Sequence, residues 1–87
     1  MKYSVEKKFL KDLQPLPKEV KKSVANFFTS VQEAKSFNEI QNLEKLTGYK
    51  VYYRYRIGDY RVGFAFRDEE ITFLRILHRK EIYRNFP

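Results

Sequence analysis

The residues best suited to chemistry crowd into the second half of the chain. All seven arginines lie between Arg54 and Arg84, whereas the first 48 residues carry only lysines as cations. Arginine presents a rigid fork of donors that fits phosphate oxygens, and lysine a flexible point charge. The one histidine, His78, and a late tyrosine, Tyr83, lie among these arginines in sequence. Together these types suit metal-independent acid–base chemistry on a phosphodiester. Such a reaction needs a base for the 2′-hydroxyl, an acid for the leaving 5′-oxygen, and cations around the phosphorus. Histidine has the reference pKa nearest neutrality and can take either proton role. Tyr83 can position a proton or stack on a base.

Other chemistries lack their parts. Without cysteine there is no disulfide framework, thiolate zinc site or thiol nucleophile. A serine triad would have only His78 as base. Three glycines, none suitably spaced, exclude a P-loop and a dinucleotide fingerprint. Asp68-Glu69-Glu70 reads as a solvated hairpin tip, so no metal is expected, nor any cofactor. The net charge of +7 on 87 residues favours a polyanionic partner. With 43% hydrophobic residues, the chain should bury one core as a single domain over residues 1–87. No apolar run approaches a membrane span and no signal peptide is visible, so a cytoplasmic location without membrane contact is expected.

The elements that must position these side chains follow from periodicity. Residues 2–6 alternate weakly and suit a short strand at a sheet edge. Phe9, Leu10 and Leu13 follow helical spacing over Lys7 to Gln14. Pro15 stops that helix, and Pro17 opens a second running to about Ala34, with Val20, Val24, Phe27, Phe28 and Val31 as its apolar stripe. Residues 35–48 read as a loop with one short helical turn, introduced by the capping-box spacing of Ser36 and Glu39. The period then changes from 3.6 to 2. Lys50 to Ile57 and Tyr60 to Arg67 read as strands joined by Gly58-Asp59, a two-residue hairpin loop. The fold class is therefore α+β, an N-terminal helical hairpin packed on one face of a small antiparallel sheet.

A two-residue loop sets the register. Ile57 faces Tyr60, Tyr55 faces Val62, Tyr53 faces Phe64 and Val51 faces Phe66, all turned toward the helices. The opposite face carries Arg56 against Arg61, Arg54 against Gly63 and Tyr52 against Ala65, with Lys50 and Arg67 at its far end. Like charges across a strand pair are destabilising, so an anion between Arg56 and Arg61 would relieve the contact. The small Gly63 and Ala65 predict a hollow between large cations. In the third strand, Ile71 to His78, two registers compete. Burying Arg75 unpaired would be costly, which favours Thr72, Leu74, Ile76 and His78 facing the helices. Phe73, Arg75, Leu77 and then Arg79 would join the cationic face, with Phe73 and Leu77 giving it an apolar strip suited to an amphipathic protein partner. Tyr52, beside Lys50 and Arg54, could stack on a nucleobase. Residues 80–86 suit a terminal helical turn or tail.

The segments Arg54 to Arg61 (RYRIGDYR) and His78 to Tyr83 (HRKEIY), together with Leu46 to Gly48 (LTG), resemble the RelE/ParE toxins of type II toxin–antitoxin systems. The order of elements is similar over nearly the whole chain. This resemblance implies a RelE-like microbial RNase fold. For the RelE branch it implies a translation-inhibiting endoribonuclease that cuts mRNA on the ribosome, neutralised by a cognate antitoxin in a hetero-oligomer. By position, Arg61 matches the sheet arginine that holds the scissile phosphate, Arg79 the basic residue after the last strand, and Tyr83 the terminal tyrosine. His78 is the proton-transfer candidate, and Arg54 and Arg56 lie where this branch places basic residues. Lys50, Tyr52, Arg56 and Arg75 complete the expected RNA-binding surface. Tyr52 stands where that branch often has lysine, which leaves the general base open. ParE-branch relatives poison DNA gyrase without cutting RNA, and a basic RNA-binding module without toxicity is a third reading.

Overall fold

A computed structural model describes all 87 residues. Strand β1 (Lys2–Val5) leads into helices α1 (Lys7–Leu13) and α2 (Lys18–Glu33), then a single 3-10 turn (Phe37–Glu39). Strands β2 (Leu43–Lys45), β3 (Tyr52–Ile57), β4 (Tyr60–Arg67) and β5 (Glu70–His78) follow, and helix α3 (Arg79–Asn85) ends the chain. Pro17 sits at the N-cap of α2, since its missing N–H costs nothing there. At the other end of α2 the N-terminal ammonium of Met1 donates to the carbonyls of Gln32 at 2.9 Å and Ala34 at 2.7 Å. Those carbonyls lack helical partners, and a cation there opposes the helix dipole.

The five strands form one sheet in the order β1-β5-β4-β3-β2. It is mixed rather than purely antiparallel, because β1 runs parallel to β5 at one edge. At the other edge, β2 is a three-residue strand inside the segment expected to be loop and helical turn. Ser36 does precede the turn, but its hydroxyl makes no capping hydrogen bond. The β3–β4 register agrees with the arithmetic from Gly58-Asp59 at every paired position from Ile57↔Tyr60 to Tyr52↔Ala65.

Between α1–α2 and the sheet lies the main core. Phe9, Val24, Phe27 and Val31 meet Val62, Phe64, Ile71, Phe73 and Ile76. Two ring pairs stack nearly flat: Phe27 on Tyr55 at 3.7 Å and Phe37 on Phe66 at 3.9 Å. The second pair shows why residues 35–48 need no long helix. The 3-10 turn delivers one aromatic ring and the chain then joins the sheet edge.

The third long strand resolves the contest between its two registers by using both. From Glu70 to Phe73 it pairs in one register with β4, and from Arg75 to His78 in the other. The shift falls between Gly63 and Phe64 and leaves Leu74 as an extra residue on β5, a β-bulge. Ile71 and Phe73 therefore face the helices, contrary to the preferred assignment of Thr72 and Leu74 to that side. Beyond the bulge Ile76 faces them too, as expected. Phe73 does not belong to the cationic face: its ring is wholly buried against Tyr3, Phe9, Phe27, Phe28 and Phe64.

Arg75 also departs from its expected place. Its Nε donates to Asp12 Oδ2 at 2.7 Å and its Nη2 to Asp12 Oδ1 at 3.1 Å. The geometry has a backbone cause. β1 pairs with β5 only as far as Phe73, which leaves the rest of that edge unpaired. α1 packs alongside, and Asp12 Oδ2 accepts the Ile76 N–H at 3.2 Å. Hydrogen bonding to Asp12 raises Arg75 above the usual arginine range; burial pulls the other way, and the carboxylate charge adds to the rise. A raised cation stabilises the fold below its ordinary pKa and loses that contribution only as pH climbs through the folded value. For Arg75 that window lies beyond the usual arginine range, so this group adds no pH dependence near neutrality. Asp12→Ala removes three hydrogen bonds and orphans a half-buried guanidinium. It should destabilise the protein by about 2 kcal/mol, read from urea midpoints, with Asp12→Asn intermediate. Equal midpoints for Asp12→Ala and the parent chain would rule out this staple.

Candidate active site

The sheet face opposite α1–α2 carries the cations, and it is not open as expected. Helix α3 folds back across it, burying Ile82 and Phe86 against Leu46, with Tyr52, Leu74 and Leu77 around them. The apolar strip of this face is therefore made by Leu74 and Leu77, not Phe73, and the chain's own tail covers it. Gly63 is the seat of the contact. A β-carbon built there would lie 2.8 Å from Cγ, Cδ1 and Cδ2 of Phe86. The hollow expected over Gly63 is thus filled by an aromatic ring. Its other half persists as a depression beside Ala65, lined by Tyr52, Arg67, Thr72 and Leu74.

Around this lid the structure brings several of the expected residues together. Arg54 lies across from Gly63, with its side chain only 17% exposed. The Tyr83 ring covers its guanidinium, with Cζ 4.7 Å from the ring centroid. That is cation–π geometry, and Tyr83 itself is 68% exposed. A single long contact, 3.4 Å from Nη2 to Glu44, ties Arg54 to a carboxylate. Its Nε is buried with no hydrogen-bond partner at all. Unpaired buried donors are rare and costly, and more so on a cation.

Arg56 and Arg61 sit directly opposite each other on the same face. Neither has a carboxylate partner, since the ion pairs of the protein are Arg54–Glu44 and Arg75–Asp12. Arg61 Nη1 donates to the carbonyls of Gly58 and Tyr60, both at 2.9 Å, which holds it against the hairpin turn. Arg79 begins α3 with an exposed side chain, and its backbone N–H donates to Asp59 at 2.8 Å. Lys50 is exposed just before β3. Tyr52 is half-buried, with Tyr49 and Phe86 set edge-on to it at 5.5 Å and 5.7 Å. Of the nine expected site residues, Arg75 is drawn away from this face by Asp12, and His78 pairs with Tyr60 on the helix side of the sheet. No three acidic or histidine side chains come together in a metal-ligating cluster.

His78 occupies the N-cap of α3, where its Nδ1 accepts the Lys80 N–H at 3.2 Å. An accepting Nδ1 places the proton of the neutral ring on Nε2. In this arrangement the ring's lone pair is taken by backbone, and the ring stands edge-on to Tyr60 at 5.7 Å. The histidine therefore sets where α3 begins, and with it where Arg79 and Tyr83 project.

A five-stranded sheet thus carries a helical hairpin on one face and, on the other, a group of arginines with Tyr83 of a short terminal helix set over Arg54. Residues 3–83 match the family model described as "ParE toxin of type II toxin-antitoxin system, parDE". The chain is 39% identical over 88 residues to Toxin RelE3 of Methanocaldococcus jannaschii, covering 100% of both proteins. Its fold is similar to the toxin in the crystal structure of the RelB-RelE antitoxin-toxin complex from Methanococcus jannaschii, with a TM-score of 0.82, 37% identity, and coverage of 95% of this chain and 98% of that one. A second similar structure is the archaeal RelE-RelB complex from Pyrococcus horikoshii OT3, with a TM-score of 0.70, 29% identity, and 90% and 93% of the two chains covered. The chain belongs to the RelE/ParE family of type II toxin–antitoxin toxins.

No helix of the protein is long and apolar enough to cross a membrane. Two features of the site were not foreseen from the residues: the seating of Phe86 on Gly63, and the stacking of Tyr83 on Arg54. A signal for the first was present. Ile82 and Phe86 have i, i+4 spacing, so the tail has an apolar face, and Gly63 is the smallest residue it could meet.

Proposed function

We propose that this toxin is a ribosome-dependent mRNA endoribonuclease that works without a metal or cofactor. Its 2′-hydroxyl attack would displace the 5′-oxygen and leave a 2′,3′-cyclic phosphate. The observation that carries this reading is Arg54: a mostly buried guanidinium with an orphaned Nε, capped by an exposed tyrosine. A phosphate oxygen at the exposed edge of this under-bonded guanidinium would add an acceptor. Arg61 and Arg56 add charge as it builds on the equatorial oxygens, and Arg79 lies at the start of the covering helix. Tyr83 is placed to handle a proton or to stack on a base, with Lys50 and Tyr52 farther along the bound strand. Arg75 has no part in this arrangement. The proton on Nε2 and the occupied Nδ1 make His78 a positioning residue for α3 rather than the general base.

A cognate antitoxin is the proposed protein partner, supported by the RelB complexes formed by relatives 37% and 29% identical. A toxin–antitoxin hetero-oligomer in the cytoplasm, where translated mRNA is found, follows from the same reading. The test is induction of the toxin without antitoxin, followed by mapping of mRNA 5′-ends. Cuts inside codons of translated messages are expected. Intact messages together with lost gyrase supercoiling would instead favour gyrase inhibition, the alternative raised by the ParE family match. An inert protein would favour a plain RNA-binding module.

The role of His78 has its own test. His78→Asp keeps a good N-cap for α3 while removing the imidazole. Cleavage within about threefold of the parent rate is expected, with His78→Ala slower because an N-cap contributes about 1 kcal/mol. If His78→Asp is as slow as His78→Ala, the ring itself carries a proton.

A further inference from the structure

We propose that Phe86 is a positioning residue for the reaction, and that Gly63 is glycine because it receives the Phe86 ring. The inference rests on the nuclease reading above for its consequence, but on geometry alone for the contact. Gly48 and Gly58 have positive φ and open space where a β-carbon would go, so the backbone explains them. Gly63 is different. It lies inside β4 without positive φ, in a position where any L-residue could adopt the backbone. Only space requires glycine there, and what fills the space is the ring of Phe86, 2.8 Å from a virtual β-carbon at three of its atoms.

The consequence runs through α3. Ile82 is fully buried and Phe86 nearly so; Ile82 on the helix and Phe86 at its extended C-cap both pack against Leu46. Tyr83 is the residue after Ile82 and projects to the adjacent side, over Arg54. His78 fixes one end of the helix and the Phe86–Gly63 seat fixes the other. Each end alone leaves a seven-residue helix able to roll, because an isolated helix of that length is not stable in water. Seated at both ends, the phenol is held above the guanidinium. A shift of about 1 Å in a reacting group can cost about 10²-fold in rate.

The experiment is a double-mutant cycle on the full chain, assayed on ribosomes translating a defined message. Phe86→Ala and Gly63→Ala should each lower kcat by about 10–100-fold with KM changed less than about threefold. Adding Gly63→Ala to Phe86→Ala should cost no more than about twofold further, because the clash is already gone. Phe86→Leu should recover part of the activity lost in Gly63→Ala. Two-dimensional NMR supplies readouts independent of catalysis. The parent chain should show ring-current-shifted Gly63 α-protons and a Tyr83–Arg54 side-chain contact, both lost in Phe86→Ala while other amides stay dispersed. Parent-like cleavage by Phe86→Ala, or faster cleavage, overturns the positioning role; the faster case would make Phe86 a plug. Additive losses in the cycle overturn the pairing with Gly63. If Phe86→Ala loses dispersion, the Gly63→Ala and Phe86→Leu pair decides the question, and failure of Phe86→Leu to recover activity counts against it. Should the parent chain cut no translated message, the nuclease reading fails. Persistence of the Tyr83–Arg54 contact in Phe86→Ala then still overturns the seat.

Discussion

Arg61→Ala should slow cleavage of translated messages by about 10²–10³-fold and leave the protein at least as stable as before. The two halves of this expectation come from different features of the same side chain. Arg61 makes its hydrogen bonds to the neutral carbonyls of Gly58 and Tyr60, at a turn where water can replace it. Losing them should cost little. Its charge has no carboxylate partner, and Arg56 stands directly across the strand pair. Deleting one of two opposed cations removes a repulsion of up to about 1 kcal/mol. A phosphate bound between them would lose a donor aimed at developing charge, so activity should fall while the melting temperature holds or rises. Primer extension on a translated reporter reads the first quantity and circular dichroism melting the second. Arg61→Lys should recover only part of the rate, because a point charge cannot reproduce two parallel donors. Parent-like cleavage by Arg61→Ala would remove the sheet arginines from the mechanism.

The same two strands show what the sequence made legible. A two-residue Gly-Asp loop admits one pairing, so the whole β3–β4 register, and with it the opposition of Arg56 to Arg61, follows from counting. The helices were legible through period and proline. What escaped was set by distant partners. β2 is three residues long, too short to display alternation, and exists because β3 offers it an edge. Burying Arg75 is costly only where no partner is near, and Asp12 reaches it from 63 positions away. The cationic face was expected to lie open because the tail read as a turn with no stated place to dock. Arg54, Arg56 and Arg61 lie on that face as counting from the loop implies, while Phe73 and Arg75 do not; the arrangement around Arg54 depends on Phe86 meeting Gly63, a contact no local pattern displays.

The bulge at Leu74 is the sharpest instance, and it carries the largest expected loss of stability. Before the bulge, Phe73 points into the main core and Thr72 away from it, the reverse of what alternation with Ile76 implies. Phe73 is fully buried, with Phe28 at 4.6 Å, Tyr3 at 5.5 Å, Phe9 at 5.7 Å, Phe27 at 5.8 Å and Phe64 at 6.0 Å between ring centroids. Truncating such a ring leaves a cavity that rigid neighbours cannot close, so Phe73→Ala should cost about 3–5 kcal/mol. For a chain of this size total stability is about 4–13 kcal/mol, so the variant should melt some 15–30 °C lower or fail to fold. Thr72 is half-buried on the other face, where its hydroxyl meets Ser4 at 3.4 Å, and Thr72→Ala should cost less than about 1 kcal/mol. Neighbouring positions thus give opposite results under opposite registers. If Thr72→Ala proves the damaging change and Phe73→Ala the mild one, β5 has no bulge. The strand would then present Leu74 to the helices, and the apolar floor on which α3 rests would disappear with it.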